Sequence, residues 1–107
     1  MRLSQSELTA IIESVDAYVH SAARLLLYGS RVDDSKRGGD IDLLLEVNDE
    51  QAAAILNRKS YIVLAEMKNR IGDQKIDFLI CTPQEITESP FLRLITKQAL
   101  LLHEWSA

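Results

Sequence analysis

The chain has 107 residues, 47% of them hydrophobic but only 6% aromatic, with a formal net charge of −4. That length allows one domain around one modest, mostly aliphatic core. The acidic balance argues against sequence-independent nucleic-acid binding, so no direct DNA contact is expected, and the single cysteine, Cys81, excludes an internal disulfide and cysteine-cluster metal sites.

Ser4-Gln5-Ser6-Glu7 reads as a capping box. Leu8, Ile11, Ile12, Val15 and Val19 follow at helical spacing, which predicts a helix from Ser6 to His20. Arg24-Leu25-Leu26-Leu27-Tyr28 is a short apolar run stopped by Gly29, so its length favours a buried strand. A polar stretch and the turn-forming pair Gly38-Gly39 come next. The second strand is Asp40 to Val47. Strand alternation puts Ile41, Leu43, Leu45 and Val47 on one face and Asp40, Asp42, Leu44 and Glu46 on the other.

Asn48 to Gln51 caps a helix expected to reach Ile71, with a break near Asn57 to Ser60 left open. Lys75 to Cys81 is the third strand, and its apolar flanks make Cys81 a core thiol, not a nucleophile. Thr82-Pro83 and Ser89-Pro90 are two further helix starts, proline standing at the first helical position. The last helix is expected from Phe91 to Leu102, with a terminal strand at Leu100-Leu101-Leu102 as the open alternative. Such a pattern describes an α/β or α+β domain, a small mixed sheet of three to four strands packed with helices. No apolar run approaches the roughly 18 residues of a membrane helix, and no leader sequence is evident. A cytoplasmic protein without membrane contact is expected.

Chemistry concentrates in two segments. Asp40 and Asp42, two apart on a strand, aim both carboxylates the same way. Like charges that close repel unless a cation neutralises them, and a hard cation such as Mg²⁺ prefers carboxylate and phosphate oxygens. Gly29-Ser30 follows a strand, where glycine permits close backbone approach and a free turn can hold phosphate oxygens. Asp77 puts a third carboxylate between Ile76 and Phe78, an expensive place for an unpartnered charge. With sixteen acidic residues in the chain, a lone Asp-x-Asp arises easily by chance; the joint arrangement is far more specific. Arg31 is a further phosphate-contact candidate because guanidinium suits that geometry, although a solvated loop arginine explains it equally. Lys36 and Arg37 fit a solvated turn better. Lys75 flanks the third strand, His20 and His103 read as helix-end residues, and Trp105 packs the last helix or meets a partner.

The string Tyr28-Gly29-Ser30-Arg31, a spacer of nine residues from Arg31 to Gly39, Asp40-Ile41-Asp42-Leu43, and then Lys75-Ile76-Asp77-Phe78-Leu79 resembles the signature of the polymerase beta-like nucleotidyltransferase superfamily. The spacer is one residue shorter than is usual there. The small size looks like the minimal nucleotidyltransferase (MNT) branch, and the likeness runs from Leu25 to Cys81. The resemblance implies that Asp40, Asp42 and Asp77 bind two Mg²⁺ ions and carry catalysis. Gly29, Ser30 and Arg31 would then hold the triphosphate of ATP. It also implies an antitoxin of a type VII toxin–antitoxin pair, which silences a HEPN-domain partner by transferring AMP to one of its tyrosines. The alternative is a non-catalytic protein that neutralises its partner by binding alone. A small-molecule nucleotidyltransferase and a glycosyltransferase fit less well, because such enzymes carry more domain mass.

Overall fold

A computed structural model describes residues 1–33, 35 and 39–106. Lys36, Arg37 and Gly38, read from the sequence as part of the glycine-rich turn, lie outside the described residues. The elements in chain order are α1 (Gln5–Asp16), β1 (Ala23–Tyr28), a 3₁₀ turn (Gly29–Val32), β2 (Ile41–Val47), α2 (Glu50–Ile71), β3 (Ile76–Cys81), α3 (Pro83–Glu88), α4 (Pro90–Lys97) and β4 (Leu100–Trp105). One sheet runs in the order β3-β2-β1-β4. Its β1 pairs are antiparallel, and β2–β3 is parallel, which requires the long crossover that α2 provides. The expected mixed α/β architecture is the one found.

The helix starts follow the sequence signals. Ser4 Oγ accepts from the Glu7 N–H at 3.1 Å while the Ser4 N–H donates to Glu7 Oε1 at 2.9 Å, a complete capping box. Asp49 caps α2 through Gln51 N–H, and α2 continues without a break to Ile71. Thr82 and Ser89 cap α3 and α4, each with proline in the first turn.

Two helix ends differ from expectation. The first helix stops at Asp16, not His20, because the Tyr18 N–H closes a tight turn on the Val15 carbonyl. Val19 then enters the core from the irregular segment before β1, so the apolar spacing outlasts the helix. The last helix stops at Lys97, and Leu100–Trp105 becomes the strand that was the open alternative. Pairing this segment with β1 satisfies backbone groups that β1 would otherwise leave at a sheet edge. His20 and His103 are therefore not helix-end residues. His20 lies in the irregular segment before β1, and His103 stands on β4 with its ring edge-on to Trp105 at 4.6 Å. Trp105 Nε1 donates to Asp16 Oδ1 at 2.8 Å, tying β4 to the end of α1.

The sheet has two unlike faces. One carries Leu25, Leu27, Ile41, Leu43, Leu45, Val47, Ile76 and Ile80 against Ile11 and Val15 of α1 and Leu56, Val63 and Met67 of α2. The other is built as three cross-strand rungs over β1, β2 and β3: Arg24–Glu46–Cys81, Leu26–Leu44–Leu79 and Tyr28–Asp42–Asp77. Ile86 of α3 and Leu92 and Ile95 of α4 pack on Leu26, Leu44 and Cys81, forming a second, smaller core. The Arg24 guanidinium pairs with Glu46 at 2.7 Å, so this nearly buried carboxylate is satisfied. The third rung, at the open end, is acidic. Among the described residues no helix is long and apolar enough to cross a membrane.

The contrast between faces is measurable on neighbouring strands. Leu43 is fully buried, and Leu43→Ala is expected to cost about 2–5 kcal/mol in urea unfolding. Leu79 is 36% exposed, and Leu79→Ala should cost less than about 1.5 kcal/mol. Equal losses would contradict this division of the sheet.

Candidate functional site

The acidic rung arises from register. Parallel pairing sets Asp42 of β2 directly beside Asp77 of β3, and Asp40, the residue before β2, brings its carboxylate to the same place. One carboxylate oxygen from each of the three lies within 4.8 Å of the others. Asp40 and Asp42 are half-buried and Asp77 is exposed. Neighbouring carboxylates at this spacing disfavour full ionisation. For Asp42, burial, then the charges of Asp77 and Asp40, raise its pKa above the ordinary 3.8, against a smaller opposing pull from Lys75.

Lys75 reaches the cluster from the residue before β3, with Nζ 3.4 Å from Asp40 Oδ2. Its side chain is 72% exposed, so the pair is a weak, solvent-screened contact. Sequence reasoning gave Lys75 only a flanking place, and its link to Asp40 becomes visible once β2 and β3 pair. Glu46 shares the face of Asp42 but stands two rungs further along β2, where Arg24 pairs with it. Asp42 has no comparable cation, which makes the acidic rung electrostatically incomplete among the described residues.

The Gly29-Ser30 turn closes over this rung. Gly29 has φ +79°, and a Cβ there would stand 2.3 Å from Asp42 Oδ2, inside contact distance. Only glycine can take that backbone and let the turn lie on the carboxylate. Gly39, with φ +90°, repeats the device: a Cβ would stand 2.1 Å from Ser30 Oγ. The Ser30 hydroxyl is thus held against the chain segment that leads into Asp40. The nine-residue spacer returns the chain to the place it left, and the two halves of the motif meet.

Arg31 is drawn into the frame of the site. Its Nε donates to the Gly39 carbonyl at 3.3 Å, Nη1 to the Arg2 carbonyl at 2.8 Å and Nη2 to Gln74 Oε1 at 3.1 Å. Gln74 in turn donates to Glu7 Oε2 at 2.6 Å. One guanidinium therefore joins the N-terminal segment, the glycine turn and the approach to β3. This bracing orients the turn that carries Ser30.

Tyr28 completes the acidic rung on the β1 side. Burial, then the Asp42 and Asp77 charges, push its hydroxyl pKa above the ordinary 10.0, so it stays a neutral donor. Cys81 is buried at the far end of the same face, with its thiol pushed up to about 12 by burial and by Glu46 and Glu85. It is an inert core thiol.

Three oxygen donors without a matching protein cation fit a hard divalent ion. The site residues also lie at one end of the sheet, beside a cleft of ≈ 410 Å³ bounded by Tyr28, Gly29 and Ser30 and, across from them, by α4. Leu94, Ile95 and Gln98 on that helix carry no sequence motif, and only the packing of α4 on the sheet brings them there. No family model and no curated protein matches the chain. The chemistry therefore rests on the residues themselves.

Two substitutions separate charge from shape. Since folding raises the Asp42 pKa, the folded state binds the extra proton, and metal-free stability falls as pH rises from the ordinary carboxylate value through the raised one. Asp42→Asn should remove that pH-dependent loss and raise the metal-free melting temperature at neutral pH. Added Mg²⁺ should stabilise the wild type and leave this variant unmoved; a destabilised metal-free variant would contradict the strained cluster. Gly29→Ala should displace the Asp42 carboxylate and cost more than about 1 kcal/mol in urea unfolding. It should also abolish the gain from Mg²⁺.

Proposed function

We propose that this chain is a Mg²⁺-dependent nucleotidyltransferase. The observation that carries the reading is Asp42, flanked by Asp40 and Asp77 and roofed by Gly29. Asp40, Asp42 and Asp77 would hold the metal, and Gly29 and Ser30 would receive the phosphates. Bound divalent ions neutralise charge at the attacking and leaving oxygens of an in-line phosphoryl displacement.

The residues then have distinct work. The absence of a side chain at Gly29 lets the turn lie directly against Asp42, which sets the backbone of the turn and Ser30 beside the metal-binding carboxylates. Ser30 offers its hydroxyl to a phosphate oxygen, and Gly39 leaves the space that this hydroxyl needs. Arg31 fixes the turn so that the donors do not have to reorganise during reaction. Asp77, the most exposed of the three on an edge strand, faces the side from which an acceptor can arrive. It takes the proton of the attacking hydroxyl. The acceptor oxygen bonds to the α-phosphorus, the bond to the bridging oxygen breaks, and pyrophosphate leaves.

The resemblance to minimal nucleotidyltransferases extends the proposal to ATP as donor and to a tyrosine of a HEPN-domain partner as acceptor, in an antitoxin role. Its support is the motif Gly29-Ser30 with Asp40, Asp42 and Asp77, now joined by their convergence at one end of the sheet.

The test is transfer of label from α-labelled ATP to the protein encoded beside this gene, with Mg²⁺ present. Labelled tyrosine that disappears with EDTA and falls at least about 100-fold in Asp42→Asn supports the enzyme. Neutralisation of the partner without label, unaffected by Asp42→Asn, overturns it in favour of simple binding.

A further inference from the structure

The cleft beside Gly29 and Ser30 has a second wall that the proposed phosphate and metal roles leave unused. α4 brings Leu94, Ile95 and Gln98 across from Tyr28. The helix carries its apolar residues mainly on one side, where Leu92 and Ile95 reach the small core beside Leu26 and Leu44. Leu94 is different, because it lines the cleft and remains 64% exposed. Gln98, the C-cap of α4, makes no side-chain hydrogen bond among the described residues. The volume of ≈ 410 Å³ lies within the roughly 300–1,000 Å³ usual for small-molecule pockets.

We propose that this cleft is the nucleoside pocket of the site, in which Leu94 and Ile95 cover one face of an adenine base and Gln98 reads its edge. The inference rests on the nucleotidyltransferase reading and adds to it the residues that choose the base. Continuity supports the occupant: Gly29 and Ser30 line this cleft and also touch Asp42 and Gly39, so a ligand whose phosphates meet the turn extends its nucleoside toward α4. Chemistry supports it too. A flat aromatic ring placed between the exposed Leu94 and Tyr28 buries apolar surface on both of them. A glutamine amide offers one donor and one acceptor side by side, the complement of adenine N7 and its amino group.

The rival cleft, lined by Glu50, Glu85 and Glu88 among others, is poorly suited. Three carboxylates would repel a triphosphate, and none of its lining residues belongs to the acidic rung.

Calorimetric titration of the full chain with ATP, GTP and inorganic tripolyphosphate, each with Mg²⁺, tests the assignment. Both substitution sites are solvent-exposed, so folding is not at stake, and tripolyphosphate reports the phosphate and metal end independently. Wild type should bind ATP at least about tenfold more tightly than tripolyphosphate. Leu94→Ser should weaken ATP about tenfold and leave tripolyphosphate within about twofold. Gln98→Ala should reduce the preference for ATP over GTP by about tenfold. If ATP binds more tightly than tripolyphosphate but both variants match wild type, the pocket assignment fails while the nucleotidyltransferase reading stands. If wild type binds neither ligand, both fall.

Discussion

The parallel pairing of β2 with β3 sets Asp42 beside Asp77, and the rest of the site depends on that register. A shift of one residue would turn every side chain of β3 to the opposite face, taking Asp77 away from Asp42 and Ile76 away from the core. The register is held from the buried side, where Ile41 stands beside Ile76, Leu43 beside Phe78 and Leu45 beside Ile80. The 22-residue helix α2 provides the crossover and packs its own apolar face on these same residues. Hydrophobic packing on one face thus fixes an electrostatically unfavourable arrangement on the other. That is the usual relation between a scaffold and a functional site.

The face that carries the acidic rung handles its three rungs in three ways. At Glu46 a buried carboxylate is neutralised by Arg24. At Leu44 the sheet is covered by α3 and α4 and stays apolar. At Asp42 neither solution is used, and the roof is a glycine turn. A side chain at Gly29 would collide with the carboxylate, and the exposed Lys75 reaches Asp40 and not Asp42. The charge at Asp42 is left without a close protein cation among the described residues. Arg31 meanwhile braces the turn from outside through Gly39, Arg2 and Gln74, which keeps Ser30 in place without covering Asp42.

Much of this was legible in the residues. Alternation along Asp40 to Val47 identified the acidic and apolar faces of β2, and the caps at Ser4, Thr82 and Ser89 marked three helix starts. What escaped depends on distant contacts. The end of α1 could not be read, because Val19 is buried from an irregular segment at a spacing that a helix would also satisfy. The last strand was ambiguous, because Leu100-Leu101-Leu102 suits a helix or a strand and only the open edge of β1 decides between them. Asp77 could be placed on a strand but not beside Asp42 until strand order was known. The bracing role of Arg31 could not be read, because its partners Arg2 and Gln74 lie far away in sequence. Leu94 and Gln98 carry no local signal, and their relevance comes from where α4 docks.

The central claim is that three carboxylates, from β2, from the residue before it and from β3, form one cation site, with Asp42 at its centre. ¹³C-detected NMR of the aspartate side-chain carboxyls during an Mg²⁺ titration tests it directly. The account predicts that Asp40, Asp42 and Asp77 shift together along a single saturating curve while Asp16 and Asp49 stay still. It also predicts that metal-free Asp42 titrates above the ordinary carboxylate range. An Asp42 resonance that titrates like a surface aspartate and does not respond to Mg²⁺ would contradict it.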